Sequence, residues 1–181
     1  GNLAAVHHPS GGRSEYVYDA AGNVRQATDP LGNARQSTYD DAGRRTGTTD
    51  PKGRKTTYAY DAAGRLIQKR LADGKVIGYR YDEYGNLAEV DDGVFPVRYE
   101  YDVFGNATRI EYPAIDRALR YEYDARGRLA KFTDSEGGTV VYCYDLLDRL
   151  ASIEAADGET ISFAYDPKGR LARRVYPNGV T

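Results

Sequence analysis

A Tyr-Asp pair recurs eight times in this chain, at Tyr18-Asp19, Tyr39-Asp40, Tyr60-Asp61, Tyr81-Asp82, Tyr101-Asp102, Tyr123-Asp124, Tyr144-Asp145 and Tyr165-Asp166, at steps of 21, 21, 21, 20, 22, 21 and 21 residues. A fixed period in this range belongs to repeat architectures, in which one supersecondary unit leans on its neighbours instead of closing a core of its own. Residues 1–181 therefore read as a single array of about eight ~21-residue units without internal boundaries.

The fullest copy is Tyr121-Glu122-Tyr123-Asp124-Ala125-Arg126-Gly127-Arg128-Leu129. Residues two apart in a strand share a face, so each tyrosine pair carpets one side of a sheet. Asp opens a turn by accepting local backbone hydrogen bonds, and Gly closes it in the left-handed conformation of a bulged hairpin. The closing glycines are Gly22, Gly43, Gly64, Gly85, Gly105, Gly127 and Gly169; the seventh unit has Asp148 there, a residue that tolerates the left-handed region. A second turn follows about ten residues later, as in Asp29-Pro30-Leu31-Gly32 and Asp50-Pro51-Lys52-Gly53. It varies: Ala72-Asp73-Gly74, Asp91-Asp92-Gly93 and Glu136-Gly137-Gly138 lack Pro, and Tyr112-Pro113-Ala114-Ile115-Asp116 lacks Gly. Length changes confined to this turn mark it as the tolerant, solvent-facing end.

Two turns per unit leave two strands of six or seven residues. Eight units predict about sixteen antiparallel strands in one long, twisted meander sheet, which its accumulated twist should curl into a curved or spiral wall. Leu146, Leu147, Leu150 and Ile153 fall at helical spacing, but the same phase elsewhere is strand by Tyr, Val and Thr content, and a strand is predicted here too.

Leu, Ile, Val and Phe make up only 33 of 181 residues; the apolar surface comes instead from 17 tyrosines, 14 of them directly before the Asp or two residues earlier. These are expected to stack across strands with their hydroxyls in water. Arg or Asn follows every Asp-x-x-Gly turn (Asn23, Arg44, Arg65, Asn86, Asn106, Arg128, Arg149 and Arg170), which suits hydrogen bonding or ion pairing between neighbouring units.

The net charge of −2, with both signs interleaved, lacks the footprint of a nucleic-acid binder. No apolar run reaches the length of a membrane span and no signal-peptide pattern opens the chain, so no membrane insertion by this segment is expected. Cys143 is alone, so neither an intrachain disulfide nor a thiolate metal cluster is available. His7 and His8 are adjacent and point to opposite faces of a strand, which is poor geometry for chelating one ion. No nucleophile triad, phosphate loop or zinc motif is present, and the acids recur once per unit as turn corners, whereas a catalytic dyad is singular. The chain is read as no enzyme, with no cofactor, no metal and no catalytic residue.

The repeated Tyr-x-Tyr-Asp-x-x-Gly-Arg-Leu with alternate Asp-Pro-x-Gly turns resembles the Rhs/YD-repeat family: bacterial Rhs polymorphic toxins, insecticidal Tc toxin components, Gram-positive wall-associated toxins and the animal teneurins. The resemblance implies a β-sheet spiralling into a hollow shell that, in bacterial members, encloses a C-terminal toxin. This chain would then be a fragment of such a shell from a secreted or cell-surface protein, partnered by the rest of the shell and the enclosed toxin polypeptide. Family shells often end in a self-cleaving aspartate site built on Asp-Pro-x-Gly-Leu; here Asn33, Arg54 and Arg170 follow the corresponding glycines, so no catalytic residue carries over. A carbohydrate-binding or adhesion module is the alternative, since rows of tyrosines can stack on glycan rings and repeats give avidity. Unpaired first and last strands would favour self-association.

Overall fold

The computed structural model describes residues 2–9 and 11–180. It is all-β, with 17 strands hydrogen-bonded antiparallel to their chain neighbours in one sheet. The strands are β1 (Ala5–His7), β2 (Arg13–Tyr18), β3 (Val24–Thr28), β4 (Ala34–Tyr39), β5 (Arg45–Thr49), β6 (Lys55–Tyr60), β7 (Leu66–Arg70), β8 (Val76–Tyr81), β9 (Leu87–Asp91), β10 (Val97–Tyr101), β11 (Ala107–Tyr112), β12 (Arg117–Tyr123), β13 (Leu129–Thr133), β14 (Thr139–Tyr144), β15 (Leu150–Ala155), β16 (Thr160–Tyr165) and β17 (Leu171–Val175). The strand beyond the expected sixteen is β1, and most strands are five or six residues long, shorter than expected because most turns claim five residues. Two compact units are distinguished, Gly1–Arg80 with Val90–Gly93 and Tyr81–Glu89 with Val94–Thr181, and the same repeat builds both.

Two kinds of ladder alternate. Across the Asp-x-x-Gly turn the pairing runs to the turn through a bulge: Gln36 faces Thr49, Ser37 faces Thr48, Thr38 faces Gly47, and after a one-residue shift Tyr39 faces Arg45. The shift is forced by the left-handed residue. Gly43 has φ 76°, its N–H donates to Asp40 O (2.9 Å), and the Asp40 N–H donates to Arg44 O (2.9 Å). Asp148 takes φ 62° and keeps the same bond to Asp145 O at 3.1 Å, as expected of it. Leu146 and Leu147 lie at the tip of that turn and Leu150 begins β15, so the helical spacing there forms no helix. Across the second turn the ladder is shorter, for example only Gly47 to Thr57, Thr48 to Thr56 and Thr49 to Lys55 between β5 and β6. Where that turn lacks glycine, Pro113–Ile115 makes one 3-10 turn and Asp116 supplies the left-handed residue at φ 50°.

No globular core forms. Among the described residues only Gly47, Glu89 and Ala118 are buried, and the strand side chains are mostly half-buried on a sheet wetted from both sides. Burial alone is therefore too meagre to hold each hairpin against the next, and specific polar contacts must contribute.

Candidate functional site

The residues singled out by the repeat converge at one end of every hairpin. In each Asp-x-x-Gly turn a single carboxylate gathers donors from the whole loop. Oδ1 of Asp145 accepts the N–H of Leu147 (2.9 Å) and of Arg149 (3.0 Å), and Oδ2 accepts Arg149 Nε (2.7 Å). Asp61 does the same with Arg65, and Asp124 with Arg126 and Arg128. Where the partner is Asn the amide replaces the guanidinium: Asn106 Nδ2 reaches Asp102 Oδ2 at 2.9 Å. Each Arg or Asn side chain thus binds the aspartate of its own turn, four residues back, because a residue that closes the loop is held beside the residue that opens it; the expected contact between neighbouring units is made as well, by Arg44 Nη1 to Asp61 O (3.3 Å) and by Arg128 Nη1 to Asp148 Oδ1 (2.6 Å). Hydrogen bonds to the charged form hold these carboxyls below the ordinary carboxylate range. The Asn106 side chain is the largest cause at Asp102, the Arg149 side chain at Asp145, and the Arg65 backbone N–H at Asp61.

The tyrosine before the aspartate performs a different task. Its hydroxyl does not stay in water: it donates to a main-chain carbonyl of the preceding unit. The pairs are Tyr18 to Leu3 O (2.7 Å), Tyr39 to Val24 O (2.9 Å), Tyr60 to Arg45 O (2.8 Å), Tyr101 to Leu87 O (2.9 Å), Tyr123 to Ala107 O (2.9 Å), Tyr144 to Leu129 O (2.9 Å) and Tyr165 to Leu150 O (2.9 Å). These are the carbonyls at which the short ladder has run out. Between β13 and β14 the paired residues stop at Lys131 and Val141, and Leu129 O, two residues further, is met by the phenol instead of by a strand. The bond latches each unit to the one before it, for about 1 kcal/mol apiece.

The guanidinium that closes one turn also covers the latch tyrosine of the next unit. Arg44 lies 5.1 Å from the Tyr60 ring centroid, Arg128 4.3 Å from that of Tyr144, and Arg149 4.5 Å from that of Tyr165. Each such cation–π contact adds about 0.5–1 kcal/mol at a partly exposed site. Burial, as the largest cause, pushes the Tyr144 phenol up, so it stays protonated as the donor the latch needs. The expected stacking of tyrosines across strands is replaced by this arrangement; the described ring–ring contact is Tyr121 with Phe132, at 5.5 Å and 52°.

The comparisons with known proteins fit this geometry. The family model described as RHS Repeat matches residues 1–34, 39–74, 60–94, 101–140 and 144–181. The chain belongs to the RHS repeat family. The RHS repeat array superposes on the Photorhabdus luminescens Tc holotoxin pore carrying a TccC3 mutation with TM-score 0.75 at 20% identity, over 89% of this chain and 10% of that one. It superposes equally well on the TcdB2-TccC3 complex lacking its hypervariable C-terminal region (TM-score 0.75, 20% identity), over 91% of this chain and 10% of that one. These likenesses establish the fold, and the array spans a tenth of the length of the chains it matches. No curated protein matches the sequence.

Sequence reasoning located the turn aspartates, glycines and tyrosines of the RHS repeats but missed what the tyrosines bind. The acceptors are backbone atoms of Leu3, Val24, Arg45, Leu87, Ala107, Leu129 and Leu150 and carry no side-chain signature. The usable signal was the residue after each Arg or Asn, apolar in most units, at a near-constant offset of about 15 from the next Tyr-Asp tyrosine. No group of three or more His, Cys, Asp or Glu suited to a metal occurs among the described residues, and Cys143 is an exposed thiol on β14.

Proposed function

We propose that this chain is a wall segment of a secreted RHS toxin shell, whose partners are the rest of that shell and an enclosed toxin polypeptide, and that it acts by containment and not by chemistry. The observation that carries the reading is the latch. The contact that recurs between consecutive units is of one kind, tyrosine hydroxyl to preceding carbonyl, with a cation over the ring at Tyr60, Tyr144 and Tyr165, so units can be added in series by repeating one interface. The turn aspartates that an enzyme would need are committed to loop N–H groups and to Arg or Asn. The fold likeness to the TcdB2-TccC3 complexes supports the same reading. Nothing favours the glycan alternative: the rings of Tyr60, Tyr144 and Tyr165 already carry guanidinium groups on a face a sugar would use.

Limited proteolysis of the full-length protein that carries the array tests containment. A non-repeat polypeptide segment should resist protease while the array is intact and become as sensitive as the free segment once the latches are removed by Tyr123→Phe, Tyr144→Phe and Tyr165→Phe together. Digestion of every non-repeat segment at its free rate in the unmodified protein would overturn the proposal.

A further inference from the structure

One place on the face of the sheet is left empty in the second unit. Eight residues after the Tyr-Asp tyrosine, seven of the eight units carry a polar or charged side chain, and the second carries Gly47. Thr38 and Thr57 face Gly47 from the strands on either side. The missing side chain leaves a cavity of about 340 Å³, lined by Gln36, Thr38 and Thr49 around the buried Gly47 and by the exposed Arg25 and Lys55. Strands β3 to β6 each pair along both edges, so the cavity belongs to the interior of the sheet.

The charge around it is unbalanced. No acidic residue lines the cavity, neither cation has an ion pair among the described residues, and Gln36 and Thr49 make no side-chain hydrogen bond among them. Later units fill and neutralise the same position. Arg109 pairs with Glu100 and Glu111, Lys131 pairs with Glu122, and Glu89, only 7% exposed, accepts Arg98 Nε at 3.0 Å. Arg98 stands where Thr57 stands in the second unit, three residues before the Tyr-Asp tyrosine. The fourth unit thus shows that this place holds a carboxylate against a neighbouring guanidinium, whereas the second unit has cations and no carboxylate.

From this charge complementarity we propose that the Gly47 cavity is a docking site for a glutamate side chain of a second polypeptide, an acidic segment lying on the sheet face. Its carboxylate enters beside Gly47 and pairs with Arg25 and Lys55, while Gln36 and Thr49 bond its main chain. The site is shaped for this by the glycine. A Cβ at residue 47 would stand 2.8 Å from Thr38 Oγ1, so its absence opens that hydroxyl to the ligand, and Lys55 Cε, 3.9 Å from the same point, already leans over the gap. This inference rests on the charges around Gly47 and not on containment of a toxin, so either can fail without the other.

The test titrates the isotopically labelled chain with the peptide acetyl-Gly-Ser-Glu-Glu-Ser-Gly-amide and with its Gln-Gln counterpart, reading amide resonances by NMR. The glutamate peptide should shift Thr38, Gly47 and Lys55 saturably, with at least fivefold higher affinity than the glutamine peptide, and should bind more weakly as salt is added. Arg25→Ala and Lys55→Ala should each weaken it about threefold, the equivalent of one partly exposed ion pair. Gly47→Glu, which places a carboxylate from the chain itself in the cavity, should abolish binding. If that variant fails to fold, the two peptides compared on the unmodified chain still decide. Equal binding of the two peptides, shifts that do not centre on the cavity, unchanged binding in both cation variants, or glutarate binding as tightly as the peptide would overturn the proposal.

Discussion

The two edges of the sheet are made from the same hairpin chemistry but obey different rules. At one edge every turn is Asp-x-x-Gly or Asp-x-x-Asp followed by Arg or Asn, and the latch tyrosines sit beside it. At the other edge the first position of the turn is Asp29, Asp50, Leu71, Asp134, Ala155 or Tyr176, and these hairpins still close with the same pair of backbone bonds, as at Leu71 N to Lys75 O (2.8 Å) and Gly74 N to Leu71 O (3.0 Å), while one turn is a 3-10 segment closed by Asp116 N to Pro113 O (3.3 Å). The difference is what the turn must do besides turning. The first edge also carries the recurring tyrosine latch to the next unit, so its geometry is constrained by two neighbours; at the second edge the contacts between units are isolated ion pairs, such as Lys75 with Asp92 and Arg117 with Glu136, and backbone bonds with one left-handed residue suffice to close the turn.

Acid should separate the two edges most strongly. The folded state holds Asp19, Asp40, Asp61, Asp82, Asp102, Asp124, Asp145 and Asp166 at the first edge below their ordinary pKa, along with Asp29 and Asp50 at the other. A depressed folded pKa means that the unfolded chain takes up protons first as pH falls. The stability these groups contribute is therefore complete above the unfolded value of about 4 and is lost as pH drops through their folded values. Urea midpoints should be flat from pH 7 to about 5 and then fall, with hydrogen exchange at pH 3 accelerating first at the Asp-x-x-Gly turns. Uniform acceleration at both edges would erase the distinction.

An insertion gives the next largest contrast. A Gly-Ser pair between Ala125 and Arg126 parts Asp124 from the Arg126 and Arg128 donors and should cost about 3 kcal/mol, the sum of the turn bonds lost. The same pair between Ser135 and Glu136, at the second edge, parts Asp134 from the Glu136 and Gly138 N–H groups but from no side-chain donor of its own turn, and should cost about 2 kcal/mol. Denaturant melts of the two insertions compare them directly.

Removing single latches sharpens the comparison. Tyr144→Phe and Tyr165→Phe each delete one hydroxyl while keeping the ring over which Arg128 or Arg149 lies, and should each cost about 1 kcal/mol. Asp148 tests the turn itself. Its φ of 62° strains an alanine but not a glycine, and it pairs with Arg126 and, at 2.6 Å, with Arg128. Asp148→Ala should therefore be less stable than Asp148→Gly by about 1 kcal/mol, since both lose the ion pairs and only the alanine keeps the strain. The smallest effect belongs to the turn tips: Val103, Phe104 and Leu146 are 94%, 86% and 95% exposed, and replacing them with Ser should move the melting temperature negligibly while raising solubility.

Much of this arrangement was legible in the residues. Asp, Gly and a period of about 21 act within one turn of chain, so the strand ends, the bulge at Gly43 and the survival of the turn at Asp148 followed from local chemistry. The helical spacing at Leu146, Leu147 and Leu150 was outweighed for the same reason: Asp145 commands its turn whatever apolar residues ride on the tip. What the tyrosine hydroxyls bind, and that each arginine serves its own aspartate and the next ring at once, was not legible. Those contacts join residues about 15 apart through a backbone carbonyl, an atom every residue possesses, and only the register of neighbouring strands decides which carbonyl is left without a ladder partner.

The amino-acid sequence by itself determined that the chain is a serial β-meander, because turn chemistry and alternation are properties of a few adjacent residues. The tertiary structure alone decided how one unit holds the next. The ladder between units ends two residues short of the turn, and the exposed carbonyl it leaves there sets the place where a phenol from the following strand must land.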